Sequence, residues 1–365
     1  MSECNSRNGA GFDLNKKYIL RERLERQGFL NPLQDSHDVD AYIQLFRLLQ
    51  PVSPVFNSRP GSPPRLVHRT AFDDSLKADK LRKEGRLVKG RFQGGRIGYV
   101  LEDDLGLYGS IFRKPIQKVQ PLHEEVLSMI QHSGGISKDQ LKEELPYKAK
   151  DITAALKRMQ EAFLVYEYQV DDDWNTGWFD FRTEWSGIEF YNEKVPAAAD
   201  MLLRFLHAMV FATLDQIKDW SQLTRKIIQS TLNMLIEREE IVKIDIDGLG
   251  EGYIKKRDLN LPDEEITPSV FMLDKSDFLV RAYMNELKQT FKGKEVLQYL
   301  LIDGKFQGAV LGHWRIGPHD IDDIELILSQ NEAKERKEEI IDAIRIFYPK
   351  ETTAILRYNG ESFPK

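Results

Sequence analysis

Apolar residues recur at helical spacing twice in the middle of the chain. Each time the helical stretch gives way to short alternating segments around a polar turn. The first stretch begins at His123. HEEVLSMIQHSG, SKDQLKEEL and KAKDITAALKRMQEAFLV predict three helices. YEYQV, the turn DDDWNTG and WFDFRTEW predict a hairpin. The second begins near Val195, with helices over PAAADMLLRFLHAM, TLDQIKDWSQL and TRKIIQSTLNMLIEREEIV. VKIDID, GLGEG and YIKKRDL close it as a second hairpin.

Three helices followed by a β-ribbon is the winged form of the helix-turn-helix. Its third helix is shaped to enter a DNA major groove. Two copies in one chain point to duplex DNA as the partner.

The flanks carry their own patterns. Within 14–50, Ile19, Leu20, Leu24 and Phe29 form one helical stripe, and Val39, Ile43, Phe46 and Leu49 a second. PVSPVFNSRPGSPPR holds five prolines in fifteen residues, which excludes a helix or a central strand. It predicts an ordered, extended loop anchored by Val52, Val55 and Phe56. A helical reading resumes over 66–88, and 90–112 reads as two strands or a strand and a short helix. Near the C-terminus SDFLVRAYMNELKQTF predicts a helix. VLQYLLID and FQGAVLG predict a hairpin turning at Asp303-Gly304. IDDIELILS predicts a strand, and a long helix follows, capped by Asn331 and stopped by Pro349. TTAILRYNG predicts a last strand.

The fold class that results is α+β: tandem winged-helix units, then a C-terminal β-rich domain with helix cover. The expected segments are a disordered start over 1–13, a winged-helix-like first domain with the proline-rich loop over 14–115, winged helices over 116–191 and 192–262, and the last domain over 263–365.

Charge modifies this picture. The net charge of −6 argues mildly against a dedicated DNA binder, but the charge is segregated. Eight basic residues lie between Lys77 and Arg96, opposed only by Asp79 and Glu84. This is either a solvated helix face or a phosphate-contacting segment. The DNA-contact candidates here and in the adjoining loop are Arg59, Arg65, Lys83, Arg86, Lys89, Arg91 and Arg96. On the third helices they are Lys148, Lys150, Arg225, Lys226 and Gln229, the side-chain types that reach phosphates and base edges. Any exposed helix face has a similar composition.

A single cysteine, Cys4, excludes an internal disulfide framework and a cysteine zinc site. It suits a reducing compartment, the cytoplasm or nucleoid. No apolar run reaches the roughly 18 residues of a membrane helix, so no membrane association is expected. Motifs for phosphate cradling, zinc hydrolysis or serine hydrolysis do not occur, and no cofactor is indicated. GLGEG at 248–252 reads as a turn between strands. His313, His319, Asp320, Asp322 and Asp323 read as a polar turn before a metal site. Phe179 and Phe181 read as packing residues, while Trp174 and Trp178 are open to stacking on bases or to packing. No protein partner is legible.

Three segments together resemble the AlkZ/YcaQ group of bacterial crosslink-repair DNA glycosylases. LLQPVSPVFNSRPG keeps Gln50 and Arg59 at the family spacing. LVKGRFQGGRIGYVLEDDL matches at Gly95, Asp104 and Leu105. YLLIDGKFQGAVLG resembles the family's tyrosine-bearing strand and glycine hairpin. The resemblance spans nearly the whole chain and implies excision of alkylated or crosslinked bases, with Gln50 in the catalytic position. A second polar position of the family falls on Val52, and its Arg and His positions fall on Gly94 and Gly98. Two readings therefore stand: a DNA glycosylase with altered catalytic groups, or a non-enzymatic winged-helix DNA-binding or regulatory protein.

Overall fold

The computed structural model describes residues 15–56, 58–59, 61–168, 177–260, 266–315 and 319–363. The start over 1–13 and Trp174 lie outside them. Asn15 accepts from the N–H groups of Lys17 and Tyr18 and opens α1 (Lys16–Arg26); Asp38 caps α2 (Val39–Leu49) through Ala41 N–H. The buried stripe of α2 starts at Tyr42, not Val39, which is 36 % exposed in the first turn. Buried Asp74 accepts from Tyr42 Oη at 3.0 Å, Leu66 N at 2.8 Å and Arg65 Nε at 2.5 Å. That carboxylate ties down the preceding segment, so the helix expected over 66–88 shrinks to α3 (Ser75–Lys83). Then β1 (Leu87–Phe92) and β2 (Arg96–Leu101) form an antiparallel hairpin, followed by α4 (Leu105–Phe112).

One arrangement of elements then occurs twice. The first copy is α5 (Pro121–Ser133), β3 (Ile136–Ser137), α6 (Lys138–Glu144), α7 (Ala149–Glu161), β4 (Val165–Tyr168) and β5 (Gly177–Asp180). After α8 (Phe181–Glu184) comes the second: α9 (Lys194–Met209), β6 (Phe211–Ala212), α10 (Leu214–Ser221), α11 (Arg225–Glu237), β7 (Ile241–Ile246) and β8 (Gly250–Lys255). Their antiparallel sheets share one order, β3-β5-β4 and β6-β8-β7. Each second helix opens with the same capping box, Ser137 with Gln140 and Thr213 with Gln216. The strand expected to run through FRTEW stops at Asp180. Asp180 caps α8 through Arg182 N–H, and Phe181 turns inward against Phe163 and Trp185, ring centres 5.4 and 5.0 Å away.

The C-terminal part contains β9 (Val270–Leu273), α12 (Phe278–Ala282), α13 (Met284–Thr290), β10 (Val296–Ile302), β11 (Lys305–Leu311), β12 (Asp323–Leu326), α14 (Gln330–Glu335), α15 (Lys337–Arg345), β13 (Arg357–Tyr358) and β14 (Glu361–Ser362). Its sheet runs β14-β13-β12-β11-β10-β9 and is antiparallel except between β12 and β13. The hairpin turns at Asp303-Gly304 as expected, both residues at positive φ. Both long helices of the sequence pattern are broken into two. Ser329, bonded reciprocally with Glu332, is the cap that was expected at Asn331. Strand β9 was not anticipated, and the last expected strand is reduced to two residues. The molecule is a mixed α+β structure.

α9 lies at the centre. It is buried nearly all round, through Ala197, Ala198, Met201, Leu202, Phe205 and Leu206, and it packs on α2, α4 and α11. α1 is fastened to the second repeat by polar groups. Arg23 is 1 % exposed; it donates to Met209 O at 2.9 Å, Phe211 O at 3.0 Å and Tyr283 Oη at 2.7 Å. Arg26 forms a two-pronged pair with Asp258 at 2.8 and 3.0 Å. No helix among the described residues is long and apolar enough to cross a membrane.

Candidate functional site

The proline-rich loop is strapped across two parts of the fold. Val52 exchanges backbone hydrogen bonds with Tyr99 on β2 at 2.9 and 2.7 Å, and Ser53 Oγ donates to Ile97 O at 2.7 Å. On the other side Phe56 N donates to Asp274 at 3.2 Å and Ser276 Oγ to Pro54 O at 2.9 Å. Val52 is the buried anchor. Phe56, expected to share that role, is 47 % exposed with Lys275 Nζ 5.3 Å above its ring.

Gln50 starts this loop and is 0 % exposed. Its Nε2 donates to Asp104 at 2.7 Å and its Oε1 accepts from Leu101 N at 2.8 Å. Asp104 is completed by Arg47 Nε at 3.1 Å and Arg204 Nη1 at 2.8 Å. Both ends of the Gln50 amide are thus used inside the protein, at the junction of α2, β2 and α4.

Beyond the loop lies a cleft of about 840 Å³. One wall is the loop itself, with Arg59. The β1–β2 hairpin contributes Lys89, Arg91 and Arg96. The first repeat contributes Lys138, Thr153, Leu156, Lys157, Glu167 and Trp178. The segment around α12 and α13 contributes Lys275, Arg281, Met284 and Lys288. Nine of these lining side chains are Lys or Arg, against one acid, Glu167. The lining thus carries an excess of positive charge although the chain as a whole is acidic.

The walls hold their cations in place. Lys89 Nζ is 3.1 Å from Glu167. Arg91 donates to Gln160 at 2.6 Å and to Gly95 O at 3.1 Å. Arg281 is 4 % exposed and donates to Gln93 Oε1 at 2.6 Å and Ser53 Oγ at 2.5 Å. Burial, and then the neighbouring Arg96 charge, lower its pKa to about 10, so it stays cationic at neutral pH.

The sequence-named residues divide. Arg59, Lys89, Arg91 and Arg96 converge on the cleft. Arg65 is instead an internal fastener, paired with Asp74 at 2.5 Å and Asp73 at 3.1 Å. Lys83 pairs with Asp79 at 2.7 Å and, with Arg86, is exposed outside the cleft. Lys148 and Lys150 flank the start of α7, whose cleft face carries Thr153, Leu156 and Lys157. Arg225, Lys226 and Gln229 form an exposed face of α11 away from the cleft. Trp178 is buried in the cleft wall and Phe181 in the core, while Phe179 packs on Tyr166 at 5.3 Å. His313 bonds Glu295 at 2.5 Å, and among the described residues no group of metal-binding side chains converges.

Lys275, Arg281 and Lys288 were missed. They sit in a stretch whose only sequence signal is helical amphipathicity, and the chain brings them to the loop from more than two hundred residues away. Lys138 was missed for a similar reason, since it occupies the first position of a short helix.

The chain is similar in fold to a solved structure, Streptomyces sahachiroi DNA glycosylase AlkZ. The TM-score is 0.65 and the identity 14 %, over 94 % of this chain and 99 % of that one. No curated protein matches. A family model described as DNA glycosylase AlkZ-like matches residues 112–316, more than half of the length. The chain therefore belongs to the AlkZ-like DNA glycosylase family.

Proposed function

We propose that the protein binds duplex DNA along the basic cleft and hydrolyses the N-glycosidic bond of an alkylated or crosslinked base. The observation that carries this is the nine-to-one excess of cations lining the cleft. A surface so charged attracts a phosphate backbone and releases its counterions. The two repeats are read as winged helices over 116–191 and 192–262, between a winged-helix-like first domain over 14–115 and a β-rich domain over 263–365. The working place is the cytoplasm, on the nucleoid.

Hydrolysis needs a polar group that orients water or stabilises the cationic sugar as the bond breaks. Gln50 serves instead as a positioning residue, because its amide is committed to Asp104 and Leu101. In this reading Glu167 takes the water-orienting role. Its carboxylate stands in the cleft wall between Lys89 at 3.1 Å and Gln160 Nε2 at 3.4 Å. An acid there weakens phosphate binding, a cost that a catalytic duty would offset.

A second reading is a non-enzymatic DNA-binding protein. It is favoured by Val52, Gly94 and Gly98 at the family's polar positions and by the enclosed Gln50 amide. Purified protein on a duplex carrying N7-alkylguanine separates the two. Base release above background that is lost in Glu167→Gln, with DNA affinity kept, supports the enzyme. Tight binding without release supports the binder, and failure of the duplex to bind refutes both.

A further inference from the structure

The floor of the cleft holds two guanidinium groups that no carboxylate pairs. The Arg96 charge lies close enough to raise the electrostatic cost of charging Arg281, and both line the cleft. Neither forms an ion pair among the described residues. The nearby acids, Asp274 and Asp277, favour the Arg281 cation without contacting it, and their oxygens are engaged elsewhere. Asp277 holds Arg69 at 2.6 and 3.2 Å, and Asp274 accepts from Ser276 N at 2.6 Å and Phe56 N at 3.2 Å. The neutral partners of Arg281, Gln93 and Ser53, fix its plane without cancelling its charge.

Donors at this spot exceed acceptors. Arg281 Nε, Arg96 Nη1 and Gln93 Nε2 are buried and have no acceptor among the described residues. Buried donors are nearly always satisfied, and a buried charge is nearly always compensated. Gln93 also stands in the hairpin turn at φ 38, a left-handed backbone unusual for a side chain of this kind. Such strain is retained where the surroundings demand one orientation, and here it carries the amide to Arg281. The surplus is thus positive and rich in N–H groups, and both arginines that carry it line the cleft.

We propose that Arg96 and Arg281 form a phosphate-binding site at the cleft floor, which takes one phosphate of the nucleic-acid backbone and sets the register of the strand against Glu167. The site rests on the DNA-binding reading given above and adds to it a named contact. Two planar guanidinium forks suit the oxygens of a phosphodiester better than ammonium groups do. The lysines on the rim, Lys138, Lys157, Lys275 and Lys288, gather the strand, while the floor pair fixes its position.

The test uses the full chain, with Arg96→Gln and Arg281→Lys. Arg96 is only half-buried, so its variant keeps the experiment informative if Arg281→Lys fails to fold. One arm measures affinity for an undamaged duplex against salt. Loss of one backbone contact lowers the log–log slope by about one in Arg96→Gln, equally for unrelated DNA sequences. Another arm measures melting in inorganic phosphate. A saturable rise in the parent that both variants lose supports the site directly. A parent slope retained in the folded Arg96→Gln variant overturns the proposal. A phosphate-dependent rise without any duplex binding keeps an anion site but overturns both the backbone as its source and the DNA-binding reading. Duplex binding with unaltered slopes in both variants overturns the site alone.

Discussion

Replacing Gln50 by Ala removes two hydrogen bonds at one buried point. The N–H of Leu101 loses its acceptor at 2.8 Å, and an unsatisfied buried backbone donor costs about 1–3 kcal/mol. Asp104 loses the amide at 2.7 Å but keeps Arg47 and Arg204, so this second loss is nearer about 1 kcal/mol. The shortened side chain adds a small cavity term, bringing the total to about 3 kcal/mol. With an unfolding entropy of about 2.1 cal/mol/K per residue, the whole chain carries about 0.8 kcal/mol/K, and the midpoint falls by about 4 °C. Scanning calorimetry on parent and variant, with circular dichroism to confirm the fold, reads this directly. A Gln50→Ala protein melting within about 1 °C of the parent while losing base release would refute the buried-positioning role and return Gln50 to the reacting groups.

Lys89→Ala with Arg91→Ala lowers the salt slope of DNA binding by about two, whereas Arg86→Ala, outside the cleft, leaves it unchanged; fluorescence anisotropy at several salt concentrations compares them. Gly109→Ala drives a Cβ into the ring of Phe190, which is held by Phe163 at 5.4 Å and Arg113 at 4.9 Å. Urea unfolding should register a loss of about 1–3 kcal/mol, and an unchanged midpoint would show that the ring moves freely. His207 is held neutral, its pKa brought down to about 4 by burial and then by Arg26, Lys255 and Arg257 against Asp258. Its folded pKa lies below the unfolded value near 6.5, so its contribution is present above that pH and lost as pH falls toward 4. The parent therefore loses more thermal stability than His207→Gln across that window, and parallel pH–melting curves would contradict the assignment.

The repeated arrangement was readable because its signals are local. Apolar periodicity and a glycine-bearing turn each act within a few residues, although the turn expected over 248–252 is tighter: β8 already begins at Gly250. The 66–74 segment was misread because a distant partner decides it: Asp74 is claimed by Tyr42 on another helix. The same holds for the site. Lys89, Arg91 and Arg96 stood out as a charge run, but nothing local told Lys89 from Arg86. Arg281 looked like any polar position of an amphipathic helix, and only folding sets it beside Arg96 without a counter-ion. Gln50 was found by position, yet its burial depends on Asp104 and Leu101, half a hundred residues later.

The docking of α1 bears on how the chain is made. Every side-chain acceptor of Arg23 lies far downstream: Met209 by 186 residues, Phe211 by 188 and Tyr283 by 260. At about 5–20 residues per second, a ribosome delivers them roughly 10–50 s after Arg23 itself. Through that interval the apolar stripe of α1 and its guanidinium have no place to dock, and burying Arg23 alone is prohibitive. α1 is thus synthesised well before its partners and settles among the last, and a nascent chain halted before Met209 exposes a segment for chaperones or proteases to find.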